Sequence, residues 1–145
     1  MKIFCRLLST ALFLAVPTVG AFAQSAPVLL PPDQAFTMRM ADASDGYVSV
    51  IFHVAPGYRL YRDRVNVTTP TPGRMVYAVL KPPGTMVYDA ALGKSIETYD
   101  SDFRVDVSMS PTRPTDLIVR IQGCAIEAGV CYPPVERKFH LSPRG

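Results

Sequence analysis

The stretch that decides the fold reads Tyr47-Val48-Ser49-Val50-Ile51-Phe52-His53-Val54, and it has the period of a β-strand. Successive side chains of a strand point to opposite faces, so the three valines and Phe52 share one wholly apolar face. The other face is mixed and holds Tyr47, Ser49, Ile51 and His53. Ala55-Pro56-Gly57 follows directly and ends the run, because proline cannot donate to a sheet ladder. This stretch therefore predicts a strand with one buried side.

Strand-like alternation recurs along the chain, whereas no segment keeps the 3.6-residue period of a helix. Fourteen prolines and nine glycines supply frequent turn signals. The further alternating or extended runs are 36–40, 58–69, 75–80, 103–109, 117–121 and 135–141. About seven or eight short strands in this arrangement predict an all-β fold, an antiparallel immunoglobulin-like β-sandwich. Residues 86–98 show no clear period and contain Gly93, so we expect an irregular loop there.

The N-terminal residues have the pattern of a secretory signal peptide. Lys2 and Arg6 give a positive start, a short apolar run follows, and Ala21-Phe22-Ala23 has the small-x-small form of a cleavage site. We therefore expect residues 1–23 to be a leader cleaved near Ala23, residues 24–145 to form one domain, and the product to reach the bacterial periplasm. The apolar run is too short for a membrane span, which needs roughly 20 residues, and we expect no span in the mature chain.

Composition and motifs exclude several function classes. The formal net charge of +3 falls by the two leader cations, Lys2 and Arg6, to about +1, and no basic stripe with interleaved aromatics remains, so nucleic acid is not an expected partner. His53 and His140 are distant from the cysteines in sequence, and no Cys-x-x-Cys or His-x-x-His spacing indicates zinc. The chain also lacks phosphate-loop and dinucleotide fingerprints. We expect neither a metal nor another cofactor.

The cysteine pair lies in a second informative stretch, which reads Gln122-Gly123-Cys124-Ala125-Ile126-Glu127-Ala128-Gly129-Val130-Cys131-Tyr132-Pro133-Pro134. Of the three cysteines, Cys5 lies in the leader, so Cys124 and Cys131 are an even pair in an exported chain, which favours a disulfide. Six residues, Gly129 among them, separate the two cysteines. That is enough chain to reverse direction and bring the sulfurs together at a hairpin tip.

Two interpretations of this pair stay open on spacing alone. A structural disulfide is the usual role in exported proteins, and the chain would then be a non-enzymatic immunoglobulin-like interaction domain. A ring of about eight residues contributes only ~2.5 kcal/mol by chain entropy, however, and it joins close neighbours in sequence. A hairpin tip also lets a partner's sulfur approach the bond directly, which thiol–disulfide exchange requires. The second interpretation is therefore a redox-active pair formed by Cys124 and Cys131.

Two short blocks resemble a known family. Gln122-Gly123-Cys124-Ala125 and Cys131-Tyr132-Pro133-Pro134 are similar to the active-site stretch of the N-terminal periplasmic domain of the thiol:disulfide interchange protein DsbD. Three weaker similarities occur in the same order as in that family, at 30–36, at 56–62, and at Asp89 followed by Gly93-Lys94-Ser95. The resemblance spans nearly all of the chain beyond the leader.

The resemblance implies an immunoglobulin-like fold and a thiol–disulfide oxidoreductase of the protein-disulfide reductase type. Such a domain takes electrons from a membrane or thioredoxin-like donor. It passes them to thioredoxin-like periplasmic proteins, either disulfide isomerases or those of cytochrome c maturation. By the family pattern, Cys131 engages the partner and Cys124 resolves the mixed disulfide. Because no membrane span or thioredoxin-like domain follows in this sequence, we expect the donor to be a separate protein.

The chain departs from the family pattern at several positions around the cysteines. Six residues lie between the cysteines where the family usually has five. The position of the family's covering aromatic reads Ala91, with Leu92 beside it, so we expect weaker shielding of the disulfide. Ala90 replaces a carboxylate next to Asp89.

Three residues are expected to form the environment of the sulfurs. Tyr61 and Asp89 match the family pattern and are expected to tune proton transfer and thiolate stability. Arg59 replaces one of two active-site tyrosines, and it would favour a thiolate if it faces the sulfurs.

Overall fold

The structure is a computed structural model that describes residues 28–44, 46–90, 92–110 and 115–141. The predicted leader at 1–23 therefore lies outside the described residues, as does Ala91. Within the described part, no helix has the length and apolarity that crossing a bilayer requires.

The described residues form twelve strands, one short helix and one 3₁₀ turn. In chain order they are α1 (Pro32–Ala35), β1 (Phe36–Ser44), β2 (Tyr47–Val54), β3 (Tyr58–Tyr61), the 3₁₀ turn Arg62–Arg64, β4 (Asn66–Thr68), β5 (Val76–Leu80), β6 (Thr85–Asp89), β7 (Lys94–Tyr99), β8 (Phe103–Met109), β9 (Thr115–Ile121), β10 (Gly123–Ala125), β11 (Val130–Cys131) and β12 (Val135–Leu141). All strand pairings are antiparallel. The predicted all-β class is confirmed.

The strands are arranged in three sheets. One sheet has the order β1-β2-β8-β5, the second β11-β10-β3-β7-β6 and the third β12-β9-β4. The five-stranded and three-stranded sheets are joined by continuous chain, because β9 passes into β10 after the single residue Gln122 and β3 passes into β4 through the 3₁₀ turn. The backbone N–H of Tyr61, at the end of β3, donates to the carbonyl of Gln122, between β9 and β10 (3.1 Å). The two points at which the chain changes sheet are therefore hydrogen-bonded to each other. The cysteine hairpin is therefore an extension of a core strand.

The core lies between the sheets and is formed by the faces that the alternation predicts. On β2, Val48, Val50 and Phe52 are fully buried, and Val105 and Val107 of β8 lie beside them in register. From β9, the buried side chains are Leu117, Val119 and Ile121. Each side chain of this size contributes roughly 1.5–3 kcal/mol on burial. Two apolar faces packed in this way confirm the immunoglobulin-like sandwich.

Residues 86–98 correct one expectation: they form a hairpin of β6 and β7, not an irregular loop. Five residue pairs join the two strands, from Thr85 opposite Thr98 to Asp89 opposite Lys94, and Gly93 takes a positive φ of 64° in the turn. The alternation is weak here because the hairpin extends past the core. Met86 and Tyr88 are 62% and 69% exposed although both are apolar, so neither face of β6 is sorted by burial. The strand count is also higher than predicted, because β6 and β7 replace the loop, β11 follows the hairpin turn, and Gln122 and the 3₁₀ turn each divide one run.

Gly123 is the tightest backbone contact between the core and the cysteine hairpin. A Cβ built on Gly123 would meet the backbone carbonyl oxygen of Arg59 and lie 2.7 Å from Cζ of Phe36. Backbone cannot move aside as a flexible side chain does, so only glycine fits between β10 and β3 at this position.

We predict that Gly123→Ala lowers the free energy of unfolding by about 2–3 kcal/mol, since the added methyl overpacks a rigid site. The matched control is Gly73→Ala, where φ is 70° and a Cβ meets nothing within 4 Å. That variant carries only backbone strain and is expected to lose about 1 kcal/mol. Urea denaturation of the oxidised protein measures both. Equal losses for the two variants would contradict the tight packing of Gly123.

Candidate functional site

The cysteine pair lies on a hairpin at the edge of the five-stranded sheet. Strands β10 and β11 pair Cys124 with Cys131 and Ala125 with Val130. Gly129 has a positive φ of 63° in the connecting turn, and its N–H donates to the carbonyl of Ile126 (3.2 Å). The spacing thus produces the hairpin tip expected from sequence. No strand of the described chain pairs with the outer side of β11, so this edge is open.

A disulfide joins the two cysteines directly across the hairpin. The S–S distance is 2.04 Å and the Cα atoms are 3.9 Å apart. In the neighbouring pair, the backbone N–H of Tyr132 donates to the carbonyl of Gly123 (2.9 Å). Because hydrogen-bonded and non-hydrogen-bonded pairs alternate in an antiparallel ladder, Cys124 and Cys131 occupy a non-hydrogen-bonded pair, where facing residues lie closest. Cys131 is exposed, whereas Cys124 is half-buried.

Strand β3 places two side chains on the same face as Cys124. Arg59 lies directly opposite Cys124, and Leu60 lies opposite Gly123. Alternation along the strand then brings Tyr61 back to the face of Arg59. The Tyr61 hydroxyl lies 3.0 Å from Sγ of Cys124 and 3.6 Å from Sγ of Cys131. The phenol therefore contacts both sulfurs.

Asp89 reaches this cluster from the end of β6. Its Oδ2 accepts a hydrogen bond from the Tyr61 hydroxyl (3.0 Å), and its Oδ1 accepts one from the backbone N–H of Leu92 (3.0 Å). One carboxylate thus holds the phenol and the turn of the β6–β7 hairpin together. The structure brings Tyr61, Asp89 and Arg59 together with the cysteines, and places Leu92 exposed in the adjacent turn.

The charges around Tyr61 set its protonation. Partial burial raises the pKa of Tyr61 above its ordinary value of 10.0, and the hydrogen bond and negative charge of Asp89 raise it further. The positive charge of Arg59 acts in the opposite direction and lowers this pKa. The phenol is therefore neutral at physiological pH and can donate its proton in a hydrogen bond to an anionic neighbour.

An aromatic cluster beneath the hairpin was missed by the sequence reasoning. Phe36 makes edge-to-face contacts with Tyr58 and Tyr132, with ring centroids 5.9 and 5.8 Å apart. The Tyr132 hydroxyl donates to the carbonyl of Leu30 (2.7 Å), and the N–H of Leu30 donates to the Tyr58 hydroxyl (2.7 Å). The cluster anchors the segment after Cys131 to the N-terminal lead-in. The sequence signal for this cluster was the presence of tyrosines directly after Gly57 and Cys131, at Tyr58 and Tyr132.

The two histidines belong to other surfaces. His53 Nδ1 lies 2.6 Å from a carboxylate oxygen of Asp102, and His140 Nδ1 lies 2.8 Å from one of Asp116. Across the described ranges, no three His, Cys, Asp or Glu side chains are grouped as a metal site would require. The functional groups at the site are the two sulfurs, the Tyr61 phenol, the Asp89 carboxylate and the Arg59 guanidinium.

Comparison with known proteins gives a consistent result. The family model for the N-terminal part of the thiol:disulfide interchange protein DsbD matches residues 26–143. The DsbD protein of Ralstonia nicotianae is 39% identical over 142 residues, which cover 95% of this chain and 23% of that protein. The DsbD protein of Neisseria meningitidis serogroup A is 35% identical over 126 residues, 86% of this chain and 20% of its own length. The chain thus spans about a fifth to a quarter of these relatives.

Solved structures agree with the sequence comparison. The reduced form of the Neisseria meningitidis DsbD N-terminal domain superposes with a TM-score of 0.71 at 34% identity, covering 81% of this chain and 92% of that one. A complex between the DsbD and PilB N-terminal domains of the same organism superposes with a TM-score of 0.65 at 31% identity, with coverage of 83% and 92%.

We predict that Asp89→Asn lowers the pKa of Tyr61, because it removes the negative charge and weakens the hydrogen bond that raise it. The folded pKa lies above the unfolded one, so the neutral phenol supports the fold below about pH 10 and this support is lost as pH rises through the folded value. Asp89→Asn therefore moves that loss to lower pH. Ultraviolet absorbance of the phenolate, taken as the difference from Tyr61→Phe, measures the titration.

The control for this prediction is Asp63→Asn, because Asp63 raises the pKa of Tyr61 least among the contributing groups. Its effect is expected to be smaller than that of Asp89→Asn. An unchanged Tyr61 titration in Asp89→Asn, or an equal change in both variants, would contradict the arrangement.

Proposed function

This chain belongs to the family of DsbD N-terminal domains, and on that premise we propose that it carries out thiol–disulfide exchange in the bacterial periplasm. Electrons pass from a membrane or thioredoxin-like donor to periplasmic disulfide partners through Cys124 and Cys131. The activity is that of a protein-disulfide reductase and uses no cofactor, because two thiols carry both electrons.

One observation carries this proposal: the disulfide lies at an open sheet edge, and one of its two cysteines is exposed. Cys131 is exposed on β11, whose outer side pairs with no strand of the described chain. A partner's thiolate can therefore approach the bond, as exchange requires. The bond joins residues seven apart in sequence. Its effect on the unfolded chain is small for a structural cross-link, which disfavours the alternative of a non-enzymatic interaction domain with a purely structural disulfide.

The reaction follows from the different exposure of the two cysteines. In the reduced domain, the thiolate of exposed Cys131 attacks a partner disulfide, forms a mixed disulfide and releases one partner thiolate. Half-buried Cys124 then attacks Sγ of Cys131, forms the intramolecular disulfide and releases the second partner thiolate. Two electrons move from the domain to the partner, and the partner thiolates take up the protons that the two cysteines lose. Cys131 thus engages the partner and Cys124 resolves the intermediate.

We assign Tyr61 and Asp89 to proton handling at Cys124. The Tyr61 hydroxyl is 3.0 Å from Sγ of Cys124 and is hydrogen-bonded to Asp89. When Cys124 becomes a thiolate, the single O–H of the neutral phenol can turn from Asp89 to the sulfur and donate a hydrogen bond to it. The raised pKa of Tyr61 keeps the phenol protonated and available for that role.

The surface around Cys131 suits a protein partner. Exposed apolar side chains lie on the cysteine hairpin, at Ile126 and Val130, and on the β6–β7 hairpin that carries Asp89, at Tyr88 and Leu92. A relative's N-terminal domain forms a complex with the N-terminal domain of PilB, which supports docking of another protein domain. We propose thioredoxin-like partners, of the disulfide isomerase or cytochrome c maturation type. Leu92 lies next to the position of the family's covering aromatic and contributes to this surface.

We predict that Cys124→Ser accumulates a mixed disulfide with an oxidised periplasmic disulfide isomerase of the thioredoxin fold. Cys131 can still attack the partner, but no second thiol remains to resolve the bond. Non-reducing electrophoresis of the reduced variant mixed with the oxidised isomerase measures the adduct, which is expected to disappear on adding dithiothreitol.

The matched control is Cys131→Ser, which is expected to trap at least about tenfold less adduct because Cys124 is half-buried. The double serine variant accounts for non-covalent association. If neither single variant traps the isomerase, the disulfide is structural and the proposed function is wrong.

A further inference from the structure

We propose that Arg59 stabilises the thiolate of Cys124 once the disulfide is reduced, and so makes Cys124 a faster resolving nucleophile. This inference rests on the proposed function of the cysteine pair. Arg59 is a positioning residue in this scheme, because it acts by favouring one ionised form of Cys124 and takes no part in the exchange of sulfur bonds.

The first support is the strand register. Arg59 on β3 is the direct partner of Cys124 on β10. The hydrogen bonds from Tyr61 to Gln122 and from Ile126 to Gly57 lie two residues to either side, so the pair Arg59–Cys124 is a hydrogen-bonded one. Side chains of such a pair share one face, with Cβ atoms about 5.5 Å apart. The Arg59 side chain is therefore attached at the β3 position that lies nearest to Cys124.

The second support is a buried donor without an acceptor. Nε of Arg59 is inaccessible to solvent and makes no hydrogen bond in the disulfide form. Buried donors of a charged group are seldom left in this state, because the lost hydration is not replaced. A disulfide has no charge and accepts hydrogen bonds only weakly, whereas a thiolate is an anionic acceptor. Reduction of the disulfide thus creates, opposite Arg59, an anionic acceptor for the Nε–H donor.

The third support is that the field of Arg59 already reaches the sulfur site. Arg59 lowers the pKa of Tyr61, whose hydroxyl lies 3.0 Å from Sγ of Cys124. The same positive charge favours ionisation of a thiol for the same reason.

Besides Arg59, the charged and titratable groups around Tyr61 and Asp89 act on the ionisation of Cys124, and the Tyr61 hydroxyl itself lies 3.0 Å from Sγ of Cys124. Asp89 opposes a thiolate by its charge, but its oxygens accept hydrogen bonds from Tyr61 and Leu92. Lys94 is the β7 partner of Asp89 in the strand register. Cys131 contributes a second thiol after reduction. Asp63 also disfavours ionisation at Tyr61 and is a minor influence there. Of the two cations, only Arg59 is placed on the strand that pairs with Cys124.

Faster resolution follows from the exchange step. In the mixed disulfide, the Cys124 thiolate attacks Sγ of Cys131, the new bond forms between these two sulfurs, and the partner's sulfur leaves with the electron pair and takes up a proton. The rate depends on the fraction of Cys124 that is ionised. A thiol pKa held closer to physiological pH by Arg59 raises that fraction.

The test measures the thiol pKa of Cys124 in a Cys131→Ala background from far-ultraviolet thiolate absorbance as a function of pH. Removing the charge by Arg59→Met, which keeps an apolar stem, is expected to raise this pKa by about one pH unit or more. Arg59→Lys keeps the charge and is expected to leave most of the lowering in place. Arg120→Met makes the same change of net charge in the three-stranded sheet, where Arg120 lies 3.6 Å from Glu136, and is expected to have a much smaller effect.

The companion measurement uses a Cys124→Ala background, where Arg59→Met is expected to move the pKa of Cys131 less than that of Cys124. Circular dichroism confirms that each variant is folded, and Arg59→Gln replaces Arg59→Met if the latter is not. Equal Cys124 pKa values with Arg59, Met or Gln would overturn the inference, as would a larger effect at Cys131.

The two proposals fail separately. If Cys124→Ser traps the isomerase but the pKa of Cys124 does not depend on Arg59, the proposed electron transfer stands and the role of Arg59 is wrong. If the pKa of Cys124 depends on Arg59 but no variant traps the isomerase, the electrostatic effect stands and the proposed function is wrong.

Discussion

The backbone ladder between β3 and β10 is the interaction on which the rest of the site depends. It fixes Cys124 opposite Arg59 and Gly123 opposite Leu60. Because side chains alternate between faces, a shift of one residue would turn Cys124 into the core and away from Tyr61. The register is secured by Gly123, whose missing side chain lets β10 approach the backbone of Arg59 more closely than any other residue would allow.

The packed core holds the cysteine hairpin in place because a core strand continues directly into it. Strand β9 carries fully buried Leu117, Val119 and Ile121, and it continues into β10 after Gln122 alone. The hairpin beyond β10 is small and exposed, so it is accessible at its edge while its inner strand is fixed. This combination of a fixed Cys124 and an exposed Cys131 gives the two sulfurs different roles in the proposed exchange.

Sequence patterns predicted the sandwich well because burial sorts most strands into an inner and an outer face. Strand β2 shows this directly, with Val48, Val50 and Phe52 inside. The β6–β7 hairpin was missed because Met86 and Tyr88 stay exposed, so hydrophobicity carries no information about its faces. The additional strand breaks arise from hydrogen bonds between segments far apart in sequence, as between Tyr61 and Gln122, which no local pattern encodes.

The site was partly predictable for a different reason. The spacing of Cys124 and Cys131 indicated a hairpin, but only the family resemblance pointed to Tyr61 and Asp89, because their meeting depends on long-range strand pairing. The placement of Arg59 opposite Cys124 depended on the β3–β10 register and required the structure. Tyr58 and Tyr132 were overlooked as a support because their partner, Leu30, lies in a segment without a periodic signal.

The reduction potential of the Cys124–Cys131 bond tests most directly whether this bond is exchangeable. Equilibration of the purified domain with glutathione redox buffers, followed by alkylation of free thiols, measures it. An exchangeable bond is expected to have a potential above about −300 mV, where thiol partners can reduce and reform it. A potential well below that value would mark a structural cross-link and would contradict the proposed exchange.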